Sequence, residues 1–390
     1  MRGETVRRFL VVWAAVLTVL AAWAAQPARA AFQSDAPYAF LMDYDTGAVL
    51  YNKRGDEPMP PASMSKLMTL AVVFEALREG RLKLDDEFVV SENAWRTGGA
   101  PSGTSAMFAP INSSVTVEEL IRGVVIQSGN DASIVLAEGL AGSEEGFARL
   151  MNDYADELGL ENSNFVNSTG LPDPNHYMSP RDLAVLARYV IREYPEYYGY
   201  FAEPEFKYRR HLFYNRNRLV RNDKADGLKT GYTSESGYGV VASAEADGRR
   251  MIAVVNGLET RSARRNEAVR LLNWGLRSFK PFTLFDAGEV VGTARVWGGE
   301  SRFVDLTGKG DVRILLPRAT QRERISAEIA YVGPLYPPIA KGEKIAEIRV
   351  TTDEGISNSA PLYAAEDVGK GGVISRGFDT ILLQAFGWLL

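Results

Sequence analysis

Apolar and polar residues follow different rhythms along the chain. Residues 38–53, YAFLMDYDTGAVLYNK, alternate around a D-T-G turn, which predicts a two-stranded hairpin. From residue 61 the segment PASMSKLMTLAVVFEAL changes period. Met64, Leu67, Met68, Leu70, Ala71, Val73 and Phe74 predict a buried helix that runs to about Arg78. The segment VTVEELIRGVVIQ opens another helix, with Thr116 and Glu119 at capping-box spacing. Further helices are predicted from about Ala132, over SEEGFARLMNDYADELGL, and over SPRDLAVLARYVIREY. The last has Ser179 as N-cap, Pro180 at the first helical position and Asp182 at the positive helix end. Strand patterns return in GLKTGYTSESGYGVVASAEA and RRMIAVVNGL, and a final helix is predicted over about Arg264 to Phe279. Strands at both ends with helices between predict an α+β domain around an antiparallel sheet.

Past Lys280 the pattern shortens. TARVWGG, DVRILLPR, ISAEIAYV and EKIAEIRVTT are strand-like and separated by Gly, Pro and Asp, which predicts a small all-β, sandwich-like domain over 283–370. The last twenty residues, 371–390, place Ile374, Phe378, Ile381, Leu382, Ala385 and Phe386 on one stripe. That is an amphipathic helix too short and interrupted to span a bilayer, but suited to lie in its interface with Phe386 and Trp388 as anchors. At the other end, Arg2, Arg7 and Arg8 precede an uncharged apolar run from Leu10 to Ala25, and ARA stands at 28–30. Residues 1–30 read as a secretory signal peptide cleaved after Ala30. The first folded domain is then 31–282.

Export changes the charge. Removal of four arginines and one glutamate takes the formal net charge from −5 to −8, an unsuitable balance for binding nucleic acid. The chain has no cysteine, which excludes disulfides and thiol chemistry. It has two histidines, His176 and His211, no His/Cys cluster with metal-ligand spacing and no H-E-x-x-H, so no metal or other cofactor is expected. The G-x-S-x-G elbow of many serine hydrolases is missing too.

What remains is a serine beside a lysine. Ser63 and Lys66 are spaced i, i+3 and share a face at the mouth of the apolar helix. A serine hydroxyl is too weakly acidic to attack an amide without a base. Lys66 serves only if it is neutral. Desolvation in the apolar helix and a second ammonium nearby, Lys229, both favour the neutral amine. Two more motifs follow in order: SGN at 128–130, between two helices, and KTG at 229–231, on a Gly-rich strand. A lone Ser-x-x-Lys arises by chance; the ordered set belongs to penicillin-binding proteins and class A β-lactamases.

With SMSK at 63–66, QSGNDAS at 127–133, GLKTGYTSESGY at 227–238 and TGGAPSG at 97–103, the chain resembles the low-molecular-mass penicillin-binding proteins, specifically D-alanyl-D-alanine carboxypeptidases of the S11 type. The resemblance spans nearly the whole mature chain. It implies a serine β-lactamase/transpeptidase-like catalytic domain, with helices on both faces of its antiparallel sheet, and a periplasmic enzyme held at the inner membrane by its C-terminal helix. The implied reaction removes the terminal D-Ala from peptidoglycan stem peptides through a Ser63 acyl-enzyme, with β-lactams as covalent inhibitors. It further implies that Ser128 relays the proton to the leaving amine, and that Asn130 holds the substrate amide and Lys66. Lys229, Thr230 and Gly231 would form the substrate strand, and Thr230 and Arg264 would bind the terminal carboxylate. Arg261 and Arg265 flank Arg264 and leave that register open. Some relatives have His after K-T-G where this chain has Tyr232. The role implied for that position is its backbone N–H, paired with that of Ser63 as an oxyanion hole, which survives the side-chain change. Two other readings stay in view. A β-lactamase shares the motifs, but no E-x-x-x-N deacylation motif follows SGN. A wall-binding scaffold with vestigial catalysis is disfavoured by the retention of Ser63, Lys66, Ser128, Asn130 and Lys229 together.

Overall fold

The computed structural model describes residues 32–222, 224–318, 325–352 and 357–372. The expected signal peptide, and the expected C-terminal helix from residue 373 on, lie outside the described residues. The described residues from 36 to 372 belong to one compact unit. The described residues before it, 32–35, hold no helix or strand.

β1 (Tyr38–Asp43) and β2 (Val49–Lys53) form the expected hairpin. Asp43 closes its turn by accepting from the Thr46 N–H (2.8 Å) and hydroxyl (2.7 Å). A tight turn over Ala62–Ser65 leads into α1 (Lys66–Arg78), in which every residue but Glu75 and Arg78 is buried. A helix apolar on all sides is a central one. Around α1 stand a short pair, β3 (Glu87–Val89) and β4 (Ser114–Thr116), then α2 (Val117–Arg122), α3 (Asn130–Ala141), α4 (Glu144–Glu157), α5 (Pro180–Glu193) and α6 (Pro195–Ala202). The expected caps are present. Thr116 and Glu119 make a reciprocal capping box, and Ser179 accepts from the Asp182 N–H at 3.0 Å. A hairpin of β5 (Glu205–Tyr208) and β6 (His211–Tyr214) follows, which the sequence pattern does not announce.

β7 (Gly227–Thr233), β8 (Gly237–Ala246) and β9 (Arg249–Leu258) complete an antiparallel sheet in the order β2-β1-β9-β8-β7, so β7 is its terminal strand. α7 (Arg261–Ser278) starts one turn earlier than its apolar pattern suggests. Side chains alternate across a strand, so Phe40 and Met42 of β1 enter the main helical core while Leu41 meets Gly275 of α7 on the other face. Helices therefore cover both faces, as expected.

The second domain begins at once. β10 (Phe279–Phe285) leaves α7 directly, passing through the boundary near 282 that the composition suggests. β10 pairs with β13 (Val312–Pro317), while β11 (Val290–Arg295), β12 (Phe303–Thr307), β14 (Ile325–Ala330), β15 (Lys344–Thr352) and β16 (Ser357–Ala364) form the sheet β11-β12-β16-β15-β14. Its own core gathers Val296, Val304, Leu306, Ile314, Leu316, Ile348, Val350 and Leu362. Buried Asn358 ties the two layers together, accepting from the Leu315 N–H at 2.8 Å and donating to its carbonyl at 3.0 Å. β16 also touches β2 at one pair, Ser357 opposite Val49, which links the domain's sheet to the catalytic one.

Candidate active site

Ser63 sits in the turn that precedes α1, directly after Ala62, whose φ of 47° is unusual for a residue with a Cβ. Such strain clusters at functional positions. Lys66, the first residue of α1, is fully buried at 0% exposure. Its Nζ stands 3.0 Å from Ser63 Oγ and donates to Asn130 Oδ1 at 2.7 Å and to the Thr169 carbonyl. Burial lowers the Lys66 pKa to about 7. The neighbouring Arg216 adds to the shift, and Asp131 and Glu144 oppose it. Arg216 is thus a cation the sequence reading did not name, and the expected repulsion between the two lysines is felt at Lys229. Lys229 is itself shifted well below the ordinary lysine range, first by burial and then by Lys66, Arg216 and Arg264.

The SGN loop closes one side. Ser128, at φ 62°, ends the helical segment before α3, and its hydroxyl accepts from Lys229 Nζ at 2.8 Å. Asn130 opens α3 and donates through Nδ2 to Thr104 at 2.9 Å, which turns its carbonyl oxygen toward Lys66. Beneath it, buried Asp131 accepts from the N–H groups of Met107 (2.9 Å), Ala109 (3.2 Å) and Ala132 (2.9 Å), locking the loop at 105–109 to the start of α3.

β7 closes the other side. A Cβ at Gly231 would stand 2.8 Å from the Pro61 carbonyl oxygen, so only glycine lets this strand approach the Ser63 turn. Gly170, at φ 73°, lies equally close on the opposite side. A Cβ there would meet the Ala62 carbonyl and stand 2.6 Å from Ser65 Oγ. Tyr232 is 53% exposed and stacks on Tyr238 with ring centroids 4.1 Å apart. Its side chain faces outward, away from the buried lysines.

Ser63, Ser128, Thr230, Gly231, Tyr232 and Arg264 line one cleft of about 330 Å³, with Lys66, Asn130 and Lys229 behind it. Arg264 is partly buried against the carbonyls of Gly231 and Gly239 (3.4 Å each). Arg265 turns to Asn266, outside the cleft, and Arg261 stands exposed at its mouth. The cleft also takes in residues the sequence reading did not single out: Ser105, Tyr214, Asn215, Arg216, Arg218, Arg221 and Tyr238. The histidines have other surroundings. His176 Nδ1 accepts from the Val166 N–H at 3.3 Å, and burial lowers its pKa to about 4. His211 stacks on Phe213 in the β5–β6 hairpin.

The arrangement is a hydroxyl facing a buried, readily neutral amine, a second hydroxyl on a second buried lysine, and a free strand edge with cations at its end. It is suited to acyl transfer from a peptide that ends in a carboxylate.

Comparison with known proteins agrees. Residues 23–260 match the family model D-alanyl-D-alanine carboxypeptidase, and residues 279–370 match the model penicillin-binding protein 5, C-terminal domain. The D-alanyl-D-alanine carboxypeptidase DacC of Escherichia coli is 39% identical over 372 residues, 94% of this chain and 92% of the relative. The crystal structure of penicillin binding protein 5 from Haemophilus influenzae superposes with a TM-score of 0.73 at 36% identity, covering 87% of this chain and 99% of that one. Penicillin-binding protein D2 of Listeria monocytogenes, solved in its cefotaxime-bound form, covers 64% of this chain and all (100%) of its own, with a TM-score of 0.57 at 28% identity. A catalytic half and a β half, each matched in its proper place, make this chain a member of the D-alanyl-D-alanine carboxypeptidase family.

Proposed function

We propose that the chain is a serine-type D-Ala-D-Ala carboxypeptidase that trims peptidoglycan stem pentapeptides during cell-wall remodelling, with Ser63 as nucleophile. The observation that carries the reading is the clasp on Lys66: one amine, wholly buried, shared by Ser63, Asn130 and the Thr169 carbonyl. A neutral amine has two N–H donors and one lone pair. With the donors spent on Asn130 and Thr169, the lone pair points at the Ser63 hydroxyl.

Lys66 Nζ takes the Ser63 proton as Oγ attacks the carbonyl carbon of the last peptide bond. The oxyanion that forms is received by the backbone N–H groups of Ser63 and Tyr232. The C–N bond breaks, the proton passes through Ser128 to the departing amine, and free D-Ala leaves. Water then attacks the ester, with Lys66 again as base, and the tetrapeptide is released. Thr230 and Arg264 hold the terminal carboxylate while the peptide lies along the free edge of β7. A β-lactam enters as the peptide does, but its leaving group stays tethered, so the acyl group remains on Ser63.

The N-terminal apolar run and the C-terminal amphipathic stripe support the placement of the mature enzyme in the periplasm, held to the outer face of the inner membrane. No helix among the described residues is long and apolar enough to cross a membrane.

Intact-mass measurement after exposure to a penicillin, with wild type beside Ser63→Ala, tests this reading. One adduct on the wild type only, with D-Ala released from a pentapeptide, is the expected result. An adduct on Ser63→Ala overturns the nucleophile. An adduct without D-Ala release points to a vestigial binder, and rapid turnover of the penicillin to a β-lactamase.

A further inference from the structure

The mouth of the cleft carries more positive charge than one peptide carboxylate requires. Arg218, Arg221 and Arg261 line it together with Arg216 and Arg264, and no Asp or Glu lines it. All three are exposed, and none forms an ion pair among the described residues. Arg218 and Arg261 also share an adjoining crevice with Arg264, and Arg221 lies over the Tyr214 ring, 4.9 Å from its centroid. The cations are thus grouped, not scattered.

Their placement on the fold adds to the charge. Arg261 opens the eighteen-residue α7, whose first turn holds no acidic residue. A helix N-terminus carries about half a positive charge and favours acids in that turn. α2, α3, α4 and α5 all comply, with Glu118 and Glu119, Asp131, Glu144 and Glu145, and Asp182. α7 alone among these has guanidinium groups on its positive end with no acid in the same turn. The crowding is felt inside the cleft: after burial, Arg261 is the next cause that lowers the proton affinity of both Arg216 and Arg264. Like charges gathered without counter-ions oppose folding, and an anion brought by a ligand relieves them.

We propose that Arg218, Arg221 and Arg261 form a second anion subsite, and that the preferred substrate carries a further free carboxylate besides its C-terminal one. The inference rests on the carboxypeptidase reading and narrows its substrate class to peptides bearing that extra acid, over peptides in which it is amidated or missing. Guanidinium groups recognise a carboxylate through paired N–H donors, which an amide cannot engage as well. Two positions on the peptide can supply the acid: the side chain of the leaving residue, or that of the residue preceding the D-Ala-D-Ala pair.

The test measures kcat/KM of the intact enzyme on two matched pairs of N-acylated peptides. In one pair the residue before D-Ala-D-Ala carries either a carboxylate or its amide. In the other, the leaving residue is D-Glu or D-Gln. One acidic member is expected to be cleaved about tenfold more efficiently than its amide, a gain typical of charge-assisted contacts. The pair that shows it locates the acid. The ratio is expected to persist at about 0.3 M salt, where long-range attraction is screened, and to fall to near one in the Arg218→Gln/Arg221→Gln double variant and in Arg261→Gln. Acylation of those variants by penicillin, and their rates on the neutral peptides, should stay unchanged, which also reports that they fold. Equal efficiency for acid and amide in both wild-type pairs overturns the proposal alone. So does a gain shared by both pairs that vanishes in salt, or a ratio the variants leave intact. Failure to release a residue from any of the four peptides overturns the carboxypeptidase reading and this proposal with it.

Discussion

Two groups of cations meet at Ser63, and the fold treats them in opposite ways. Behind Ser63, Lys66 and Lys229 are sealed from water at 0% and 1% exposure, and burial shifts both toward the neutral amine. In front of it, Arg218, Arg221 and Arg261 stand in water at the cleft mouth. The side-chain types suit the two settings. An ammonium loses its proton readily when buried, while a guanidinium does not, and presents a planar fork to anions. Burial thus suits one cation to the base role proposed for it, and exposure suits the others to receive anions, within a single cleft.

The largest expected effect comes from exchanging the two types. Lys66→Arg places a permanent cation where a lone pair is needed, and stopped-flow acylation by a penicillin should slow by about 10³-fold or more. A rate within a few-fold of wild type would show that position 66 acts by charge alone and would remove the distinction between the two groups.

Acid provides the next test. With the Lys66 pKa at about 7, kcat/KM should be nearly flat above neutrality and drop about tenfold for each pH unit below it, reaching about a hundredfold loss at pH 5. A profile flat down to pH 5 would exclude Lys66 as the base. Stability carries the same signature. The folded-state pKa lies below the ordinary value of 10.5, so the unfolded chain binds more protons between about pH 7 and 10.5. The cost of burying this lysine is felt in full below pH 7 and relaxes as pH rises through that window.

Salt gives the smallest effect. Raising ionic strength from about 0.05 to 0.5 M should raise KM for an anionic peptide about two- to fivefold and leave kcat unchanged, because the exposed arginines are screened and the buried lysines are not. A fall in kcat instead would mean that the inner pair also depends on solvent ions.

The buried half of this contrast was legible in the chain and much of the exposed half was not. Acyl transfer from serine demands particular side chains, so Ser63, Lys66, Ser128 and the K-T-G run stand out at recognisable spacings. The structure brings them into one cleft. Arg216 and Arg218 come from a loop after β6, where a guanidinium looks the same as any solvated charge. Thr104 and Thr169 contribute a hydroxyl and a main-chain carbonyl, for which no residue pattern exists. In the fold, the helices with strong caps and apolar stripes were readable, α5 most clearly. β12 and β16 were missed because FVDLT is short and SNSAPLYA opens on polar residues. The pairing of β16 with β15 and β12 is what makes it a strand. The join between β16 and β2 depends on one residue pair and leaves no trace in composition.

The Thr169 carbonyl that holds Lys66 has a consequence for antibiotic resistance. A strain selected by a β-lactam can replace side chains, but no codon change at position 169 deletes a peptide oxygen. The segment that carries this oxygen is pinned by Gly170, which cannot gain a Cβ without striking Ala62 and Ser65. One arm of the clasp on Lys66 is therefore written into the backbone, out of reach of side-chain substitution, while the other, Asn130, is not.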